Sequence, residues 1–441
     1  MNARLRLASL ASLVLTVSAC TVAPTTRTPL PAPAPSPELP GGTTAPWPAP
    51  APAPSPWPAP GPTPAPVPAP GPSPLPPAPV PPAPAPAPVS RAEVRTVALR
   101  LLPPDLPQRS LWAEDIATTF AALSIPAQDH KVCALAAVIE QESGWKADPV
   151  VAGLSRIAQR ELDKKRERYG IPKAAFDLAL MKASPDGRSY QARIEALRTE
   201  RELSDLFEDM IREIPLGTRI FEGQNPVRTG GSTQVSIRYA QDLMREKPYP
   251  WRPARTAREE VFTRRGGVYF GAAMLLDYPV SYNRMLFRFA DYNAGRYSSR
   301  NAAFQALLAR LSGQTLTLDG DLLRYAGGTA LSPRDAPSEA WRALLSLHDL
   351  GLSAAQIERD LKLEKQHDFE VTPTYSRLYA VAALRGMNPE RSQLPQIDLK
   401  SPKITRQLTS AWFAERCEAR YRACLARGTP APAAASPAVA P

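Results

Sequence analysis

One carboxyl side chain lies at a helical position that suits acid catalysis. The apolar residues of segment 132–145 recur at the spacing of one helical face, and this pattern predicts a helix. That face consists of Val132, Leu135, Val138 and Ile139. At about 100° per residue, Glu142 lies roughly 30° from the centre of the face and Glu140 roughly 130° away. We therefore expect Glu140 to be solvated and Glu142 to be desolvated, with a raised pKa that keeps it protonated as a general acid.

Two later segments strengthen this interpretation. Residues 230–236 read Gly-Gly-Ser-Thr-Gln-Val-Ser, and residues 290–296 read Ala-Asp-Tyr-Asn-Ala-Gly-Arg. Together with Glu142-Ser143, and in this order, they resemble the lysozyme-like lytic transglycosylases of bacterial cell walls. That family has a helix ending in Glu-Ser, a Gly-rich turn ending in Gln, and an Ala-Tyr-Asn-Ala-Gly segment. The resemblance covers roughly residues 111–311, and its most specific part is residues 292–295.

The resemblance implies a mechanism with a single carboxyl group. Glu142 would be the catalytic acid and base, and Ser143 would support it or contact the substrate. Glu142 would protonate the oxygen between N-acetylmuramic acid and N-acetylglucosamine. It would then accept the proton of the sugar's 6-hydroxyl group, leaving a 1,6-anhydro end.

The resemblance also implies residues that bind the substrate. Gln234 would line the cleft and contact a sugar N-acetyl group. Tyr292 would hydrogen-bond near the cleaved bond, while Asn293 and Gly295 would shape the turn that presents it.

The chain departs from the family in three places. Ninety-one residues separate Glu142 from Gln234, where the family has a short loop, so residues 146–229 form an insertion long enough to be a subdomain over the cleft. Thr233 replaces the usual Met, and Asp291 stands where a small residue is common. An inverting hydrolase would need a second carboxylate. Asp148 and Asp291 are the readiest candidates, and we expect both to be ordinary surface residues.

Helical periodicity dominates the chain from residue 91 onward, so we predict an all-α fold. Two or three helices are expected in 153–213. The other predicted helices are 110–123, 131–145, 237–245, 256–278, 282–292, 301–311, 336–350, 354–362, 374–385 and 403–427. We expect a lysozyme-like catalytic domain at 90–312, extra C-terminal helices at 313–427 and a disordered tail at 428–441.

The N-terminal segment is typical of a lipoprotein signal sequence. Residues 1–19 read as a signal peptide, with small residues before Cys20, which is the expected site of lipidation. Residues 20–89 form a tether, because 30 of the chain's 53 prolines lie between residues 24 and 88. Thr21, which is not an aspartate, favours the outer membrane, with the protein facing the periplasm.

Composition excludes several classes of function. The formal net charge is +11, but acids are dispersed among the bases and no aromatic-interleaved basic patch is present, so nucleic acid is not an expected partner. No phosphate-binding loop, dinucleotide fingerprint or zinc pattern occurs, and we predict no cofactor and no metal. Peptidoglycan strands and, through Cys20, the membrane are the expected partners.

The remaining cysteines leave two alternatives. Cys417 and Cys424 are seven residues apart, about 10 Å along one helix, which is too far for a disulfide. Either Cys133 pairs with one of them, or all three are buried thiols.

Three functional hypotheses remain. The first is a lytic transglycosylase, and the second is a lysozyme-like lipoprotein that binds or organises peptidoglycan without cutting it. The third is a surface component in which residues 313–427 bind a protein partner. The whole chain is also similar to a family of proteobacterial lipoproteins known only as a domain of unknown function.

Overall fold

A computed structural model describes residues 88–213, 223–252, 255–399 and 408–429. The predicted signal peptide, the lipidation site Cys20, almost all of the predicted tether and nearly all of the tail lie outside these residues.

The described chain is mostly helical, as predicted. The helices are α1 Arg91–Leu101, α2 Arg109–Ala122, α3 Asp129–Ser143, α4 Leu154–Arg168, α5 Lys173–Leu180, α6 Tyr190–Glu195, α7 Glu200–Arg212, α8 Ile237–Glu246, α9 Ala257–Val261, α10 Arg264–Leu276, α11 Met285–Ala294, α12 Ser298–Ser312, α13 Glu339–Ser346, α14 Ala354–Leu361, α15 Pro373–Leu384 and α16 Ser410–Gly428. Short antiparallel pairs are β1 Thr229–Gly230 with β2 Val235–Ser236, β3 Tyr325–Ala326 with β4 Thr329–Ala330, and β5 Asp398–Leu399 with β6 Leu408–Thr409.

Two predictions of helix number were wrong. Residues 153–213 hold four helices, α4 to α7, where two or three were expected. The single helix expected over 256–278 is divided into α9 and α10. The division follows from Thr263, whose hydroxyl accepts the backbone N–H of Gly266 and so begins a new helix.

The first hydrophobic core surrounds α3. All residues of this helix from Val132 to Ile139 are buried, not only those of the predicted face. Leu162 and Phe176 of the insertion belong to the same core, as do Phe262 and Phe270. The insertion is therefore packed into the body of the protein through its own apolar residues.

A second hydrophobic core lies between α12 and α15 and includes Phe304, Trp341 and Phe369. The carboxylate of Glu364 is buried beside this core. Glu364 accepts the backbone N–H groups of Leu322 and Leu323 and the hydroxyl of Tyr325. Burial raises the pKa of Glu364 to about 7, although the nearby ammonium of Lys365 opposes the shift.

Arg300, at the start of α12, connects this second core to the rest of the chain. Its side chain is 1% exposed and donates to the backbone carbonyls of Glu364 and Gln366. The guanidinium also lies over the rings of Tyr297 and Phe369. A buried charge held in this way fixes α12 against residues 364–370.

The C-terminal helix α16 returns to the first part of the chain. It packs along α3 and α11, and Cys424 forms a disulfide with Cys133, their Cα atoms being 5.5 Å apart. Cys417 is a buried free thiol. The structure thus selects one of the two alternatives left open by the cysteine spacing. No helix within the described ranges is both long enough and apolar enough to cross a bilayer.

Candidate active site

Helix α3 ends at Ser143, one residue after the predicted acid Glu142. Glu142 is half-buried, and Gly144 ends the helix in the left-handed region at φ 57°. The Ser143 hydroxyl donates to the carbonyl of Ile139 at 2.8 Å and accepts the N–H of Lys146 at 3.2 Å. The Ser143 hydroxyl therefore closes the helix end, and its two predicted roles, to support Glu142 or to contact the substrate, stay predictions.

The Gly-rich segment forms a hairpin that lies against the end of α9 and against α10. A Cβ at Gly231 would stand 2.0 Å from the carbonyl oxygen of Val261, and one at Gly271 would stand 2.6 Å from Thr233. The Thr233 hydroxyl donates to the carbonyl of Gly267 at 2.8 Å. The hairpin and the helix can approach this closely only because glycine removes side chains from both surfaces.

Tyr292 joins the hairpin to the end of α3. Its hydroxyl donates to the backbone carbonyl of Thr233 at 2.6 Å. Burial raises the pKa of Tyr292 well above 10, and the negative charge of neighbouring Glu142 raises it further. The tyrosine therefore stays protonated and contributes a neutral hydroxyl. The three segments singled out in the sequence meet at this residue.

Gln234 lies in the same hairpin, and its side-chain amide bonds to residues of that hairpin. The residue adopts a positive φ of 50°, which is uncommon outside glycine. Its Nε2 donates to the carbonyl of Gly231 at 3.3 Å, and its Oε1 accepts the hydroxyl of Thr229 at 3.5 Å. In this conformation the amide holds the turn. Its predicted contact with a sugar stays a prediction.

Asp291 corrects a prediction. It was expected on the surface but has no exposed area. Its carboxylate accepts the backbone N–H groups of Tyr297 at 3.0 Å and Ser299 at 2.7 Å, and also the hydroxyls of Tyr278 and Tyr282. Burial raises the pKa of Asp291, while these hydrogen bonds oppose the shift. The carboxylate was misassigned because its donors come from the start of α12, outside its own helix.

Asn293 and Gly295 end α11 beside this carboxylate. Gly295 has φ 107°, a conformation that favours glycine, and its carbonyl accepts the N–H of Ser298 at 3.1 Å. Asn293 is half-buried, and its Oδ1 makes no hydrogen bond to any described residue. Gly295 thus forms the turn after α11, and the buried Oδ1 of Asn293 has no hydrogen-bond partner among the described residues.

The sequence analysis did not predict that α16 lies beside Tyr292 and Glu140. The Phe413 ring lies parallel to that of Tyr292, with centroids 6.5 Å apart, and Arg420 pairs with Glu140 at 3.4 Å. Burial raises the pKa of Cys417 well above its usual value, and the charge of Glu142 adds to the shift. Glu140 is thus partly exposed and ion-paired. The possible pairing of Cys133 with Cys417 or Cys424 was the one sequence signal that pointed to contact between α16 and α3.

Asp148, the other expected surface carboxylate, is half-buried after α3. Burial raises the pKa of Asp148, and a hydrogen bond from the Thr199 hydroxyl opposes the shift. Thr199 begins α7, so this contact holds the loop after the predicted acid against the insertion. Within the described ranges, no group of three or more His, Cys, Asp or Glu side chains is arranged to hold a metal ion.

Residues 105–427, which include all of these side chains, match a family model described as "Protein of unknown function (DUF1615)". The chain is also similar to a protein of Escherichia coli (strain K12) described as "Uncharacterized protein YaiW". The two are 44% identical over 338 residues, which cover 76% of this chain and 90% of that protein. No solved structure gives a significant match.

Proposed function

The chain belongs to the DUF1615 family, and we propose that it is a lytic transglycosylase that cleaves the glycan strands of peptidoglycan. The observation that carries the proposal is the meeting of three separate segments at one tyrosine. The Tyr292 hydroxyl binds the hairpin at Thr233, and its pKa responds to the charge of Glu142. A lysozyme-like arrangement of the helices around this point is part of the proposal.

Glu142 is the proposed acid and base. In the first step it transfers its proton to the glycosidic oxygen between N-acetylmuramic acid and N-acetylglucosamine, and the bond from this oxygen to the anomeric carbon breaks. The substrate's own N-acetyl oxygen assists at the anomeric carbon. In the second step the Glu142 carboxylate accepts the proton of the 6-hydroxyl group as that oxygen closes the 1,6-anhydro ring.

The neutral hydroxyl of Tyr292 suits a positioning role in these steps. A group whose pKa lies well above 10 does not compete with Glu142 as an acid near neutral pH. Its hydrogen bond to Thr233 fixes the ring beside the carboxyl group. The parallel ring of Phe413 closes its other side.

The environment of Asp291 supports a mechanism with one carboxyl group. Both of its oxygens accept hydrogen bonds from the protein, so neither is available to activate water as a hydrolase base would. Capture of the anomeric carbon by the substrate's own 6-hydroxyl needs no such base. This environment argues against Asp291 as the base of a hydrolase, and on that ground we favour transglycosylation over hydrolysis through Asp291.

The proposed substrate agrees with the proposed location. Lipidation of Cys20 would anchor the chain in the outer membrane, facing the periplasm, where peptidoglycan lies. The Pro-rich stretch of the tether, the 65 residues from 24 to 88, would extend on the order of 200 Å if fully straight, at about 3.1 Å per residue. This length lets a lipid-anchored domain reach the glycan layer.

A second candidate function is binding of peptidoglycan without cleavage. The observation that favours it is the side chain of Gln234, which bonds to its own turn in place of extending toward a sugar. A site that grips glycan without the full set of contacts would bind strands and leave them intact.

Digestion of isolated sacculi tests the proposal. The purified full chain is compared with Glu142→Gln, and the soluble products are analysed by mass spectrometry. We expect anhydro-muropeptides from the unaltered chain and a reduction of about 100-fold or more in the variant, as for loss of a general acid.

Glu140→Gln is the matched control, since this residue lies two positions away on the same helix and pairs with Arg420. Its products should equal those of the unaltered chain. Products with reducing ends would indicate hydrolysis. Equal release by both Glu142 forms would refute the assigned acid, and sedimentation with sacculi without any release would leave the binding function.

A further inference from the structure

Two hydrogen bonds join the end of α11 to the Gly-rich hairpin and to α8, the helix that follows the hairpin. The Tyr292 hydroxyl donates to the backbone carbonyl of Thr233 at 2.6 Å, and Arg296 donates from Nη2 to the hydroxyl of Tyr239 at 2.9 Å. Burial is the main cause of the raised pKa of Tyr292, and the charges of Glu142 and Tyr239 add to it. Tyr239 therefore lies in the same neighbourhood as the predicted acid, although no sequence pattern singled it out.

The Tyr239 hydroxyl differs from those of eight other tyrosines in the use of its proton. Each of the eight donates its proton to an acceptor of the protein, and they are Tyr249, Tyr269, Tyr278, Tyr282, Tyr292, Tyr297, Tyr325 and Tyr379. The Tyr239 hydroxyl instead accepts from Arg296, and it donates to no acceptor within the described ranges. Tyrosine hydroxyls that leave water generally find an acceptor. The proton of this half-buried hydroxyl is thus available to a bound molecule.

Arg296 makes the Tyr239 hydroxyl a stronger donor. The guanidinium lies 5.3 Å from the centroid of the Tyr239 ring and is fixed there by a second bond from Nη2, to the carbonyl of Ala273 at 2.7 Å. A hydroxyl oxygen that accepts from a cation is polarised, so its own O–H group bonds more strongly to a further acceptor. Burial raises the pKa of Tyr239 above its ordinary value of 10, while Arg296 opposes the shift, and the hydroxyl keeps its proton near neutral pH.

We propose that Tyr239 is a further substrate-binding residue of the candidate site, whose hydroxyl donates a hydrogen bond to an oxygen of the bound glycan strand. The inference rests on the proposed function, in its cleaving or its non-cleaving form. A glycan strand suits this donor because its carbonyl and hydroxyl oxygens offer acceptors along the whole length of the polymer. Gln234, the predicted sugar contact, bonds to its own turn, and Tyr239 five residues later supplies a donor that is not used in this way.

Strand binding by a chain that lacks the predicted acid tests the inference. The full chain carrying Glu142→Gln is the parent protein. It is titrated with fluorescently labelled glycan strands freed of their peptides, and binding is followed by fluorescence anisotropy. Adding Tyr239→Phe to the parent removes the hydroxyl and retains the ring. We expect the dissociation constant to rise about tenfold, which corresponds to about 1.4 kcal/mol for the lost hydrogen bond.

Tyr379→Phe, added to the same parent, is the matched control. It removes a hydroxyl that donates to the carbonyl of Glu390 at 3.4 Å, beside the second hydrophobic core. The control should bind strands as tightly as the parent. Urea unfolding should give the Tyr239 variant a midpoint close to that of this control, because the hydroxyl that it loses donates to no protein acceptor.

Three results would overturn the inference. The Tyr239 variant might bind strands as tightly as its parent, the control might lose binding equally, or the loss of binding might come with a clear fall in the unfolding midpoint, which would make the role of the hydroxyl structural. Binding by the parent that is unchanged in the Tyr239 variant refutes this inference alone. Absence of binding by the parent refutes the proposed function together with the inference.

Discussion

The hairpin at residues 229–236 and the loop at residues 291–299 hold neighbouring parts of one site by different physical means. The hairpin approaches the end of α9 because side chains are missing: the Cβ that any other residue would add at Gly231 collides with the backbone carbonyl of Val261. The loop is held because a side chain is present, since the buried carboxylate of Asp291 gathers backbone and tyrosine donors. The hairpin contact depends on the small volume of glycine, and the loop contact depends on hydrogen bonds.

This difference indicates how each region responds to change. A steric contact does not depend on pH and has little tolerance for added atoms. A buried polar contact tolerates a side chain of similar shape but depends on the charge and proton of its acceptor. The next three predictions separate these two behaviours, beginning with the largest expected effect.

Gly231→Ala should be the most damaging substitution. It adds a methyl group 2.0 Å from the Val261 carbonyl at a φ of 77°, so both a backbone collision and left-handed strain result. We expect a loss of about 4 kcal/mol in the free energy of unfolding, measured in urea. Gly170→Ala isolates the strain, since Gly170 has φ 63° and no atom near the added methyl group. This control should lose about 1 kcal/mol. Equal losses would show that close approach contributes nothing.

Glu364→Gln should change how stability depends on pH. The folded-state pKa of Glu364 is about 7, raised by burial above the ordinary 4.5. Between these values the folded state binds more protons than the unfolded state, so stability falls as the pH rises. The stabilisation is complete below about pH 4.5 and lost above about pH 7.

The expected size of this effect is about 3 kcal/mol at most. Urea unfolding of the unaltered chain should therefore give a higher free energy at pH 5 than at pH 7.5 from this group, and Glu364→Gln should flatten that part of the profile. Lys365, Asp321 and Tyr325 face the carboxyl group and stay unchanged. An identical slope in both proteins would exclude Glu364 as its source.

Asp291→Asn should have the smallest effect of the three. The amide retains the shape of the carboxylate but places an N–H group against one of the donors from Tyr297 or Ser299. We expect a loss of about 2 kcal/mol in the free energy of unfolding. Asp349→Asn, at an exposed carboxylate paired with Arg385, should change it by under about 0.5 kcal/mol. If the Asp291 variant is as stable as this control, the loop is not held by its carboxylate.

Local patterns were sufficient to predict most helices. Periodicity and proline breaks located α2, α8 and α14 to within a few residues, because their boundaries depend on nearby caps and turns. The division of 256–278 was missed because Thr263 reads as an ordinary helical residue until its hydroxyl is seen to cap α10. The roles assigned to Glu142 and Tyr292 stay predictions, although the charge of Glu142 acts on the buried Tyr292 hydroxyl.

Contacts between segments distant in the sequence could not be predicted from local patterns. Asp291 reads as a surface residue because its hydrogen-bond donors follow it in another helix. Cys133 could have paired with either Cys417 or Cys424 by composition alone, and only the register of α16 along α3 decides between them. These features depend on tertiary packing, which a helical period does not encode.

The Cys133–Cys424 disulfide has a consequence for biogenesis. Its cysteines are 291 residues apart in the sequence, so the bond cannot form until nearly the whole of the described region has been synthesised. Cys417 emerges seven residues earlier and can compete for the same partner. A bond to Cys417 would shift α16 by about two helical turns against α3. Folding of this chain therefore includes a choice between two thiols as the partner of Cys133.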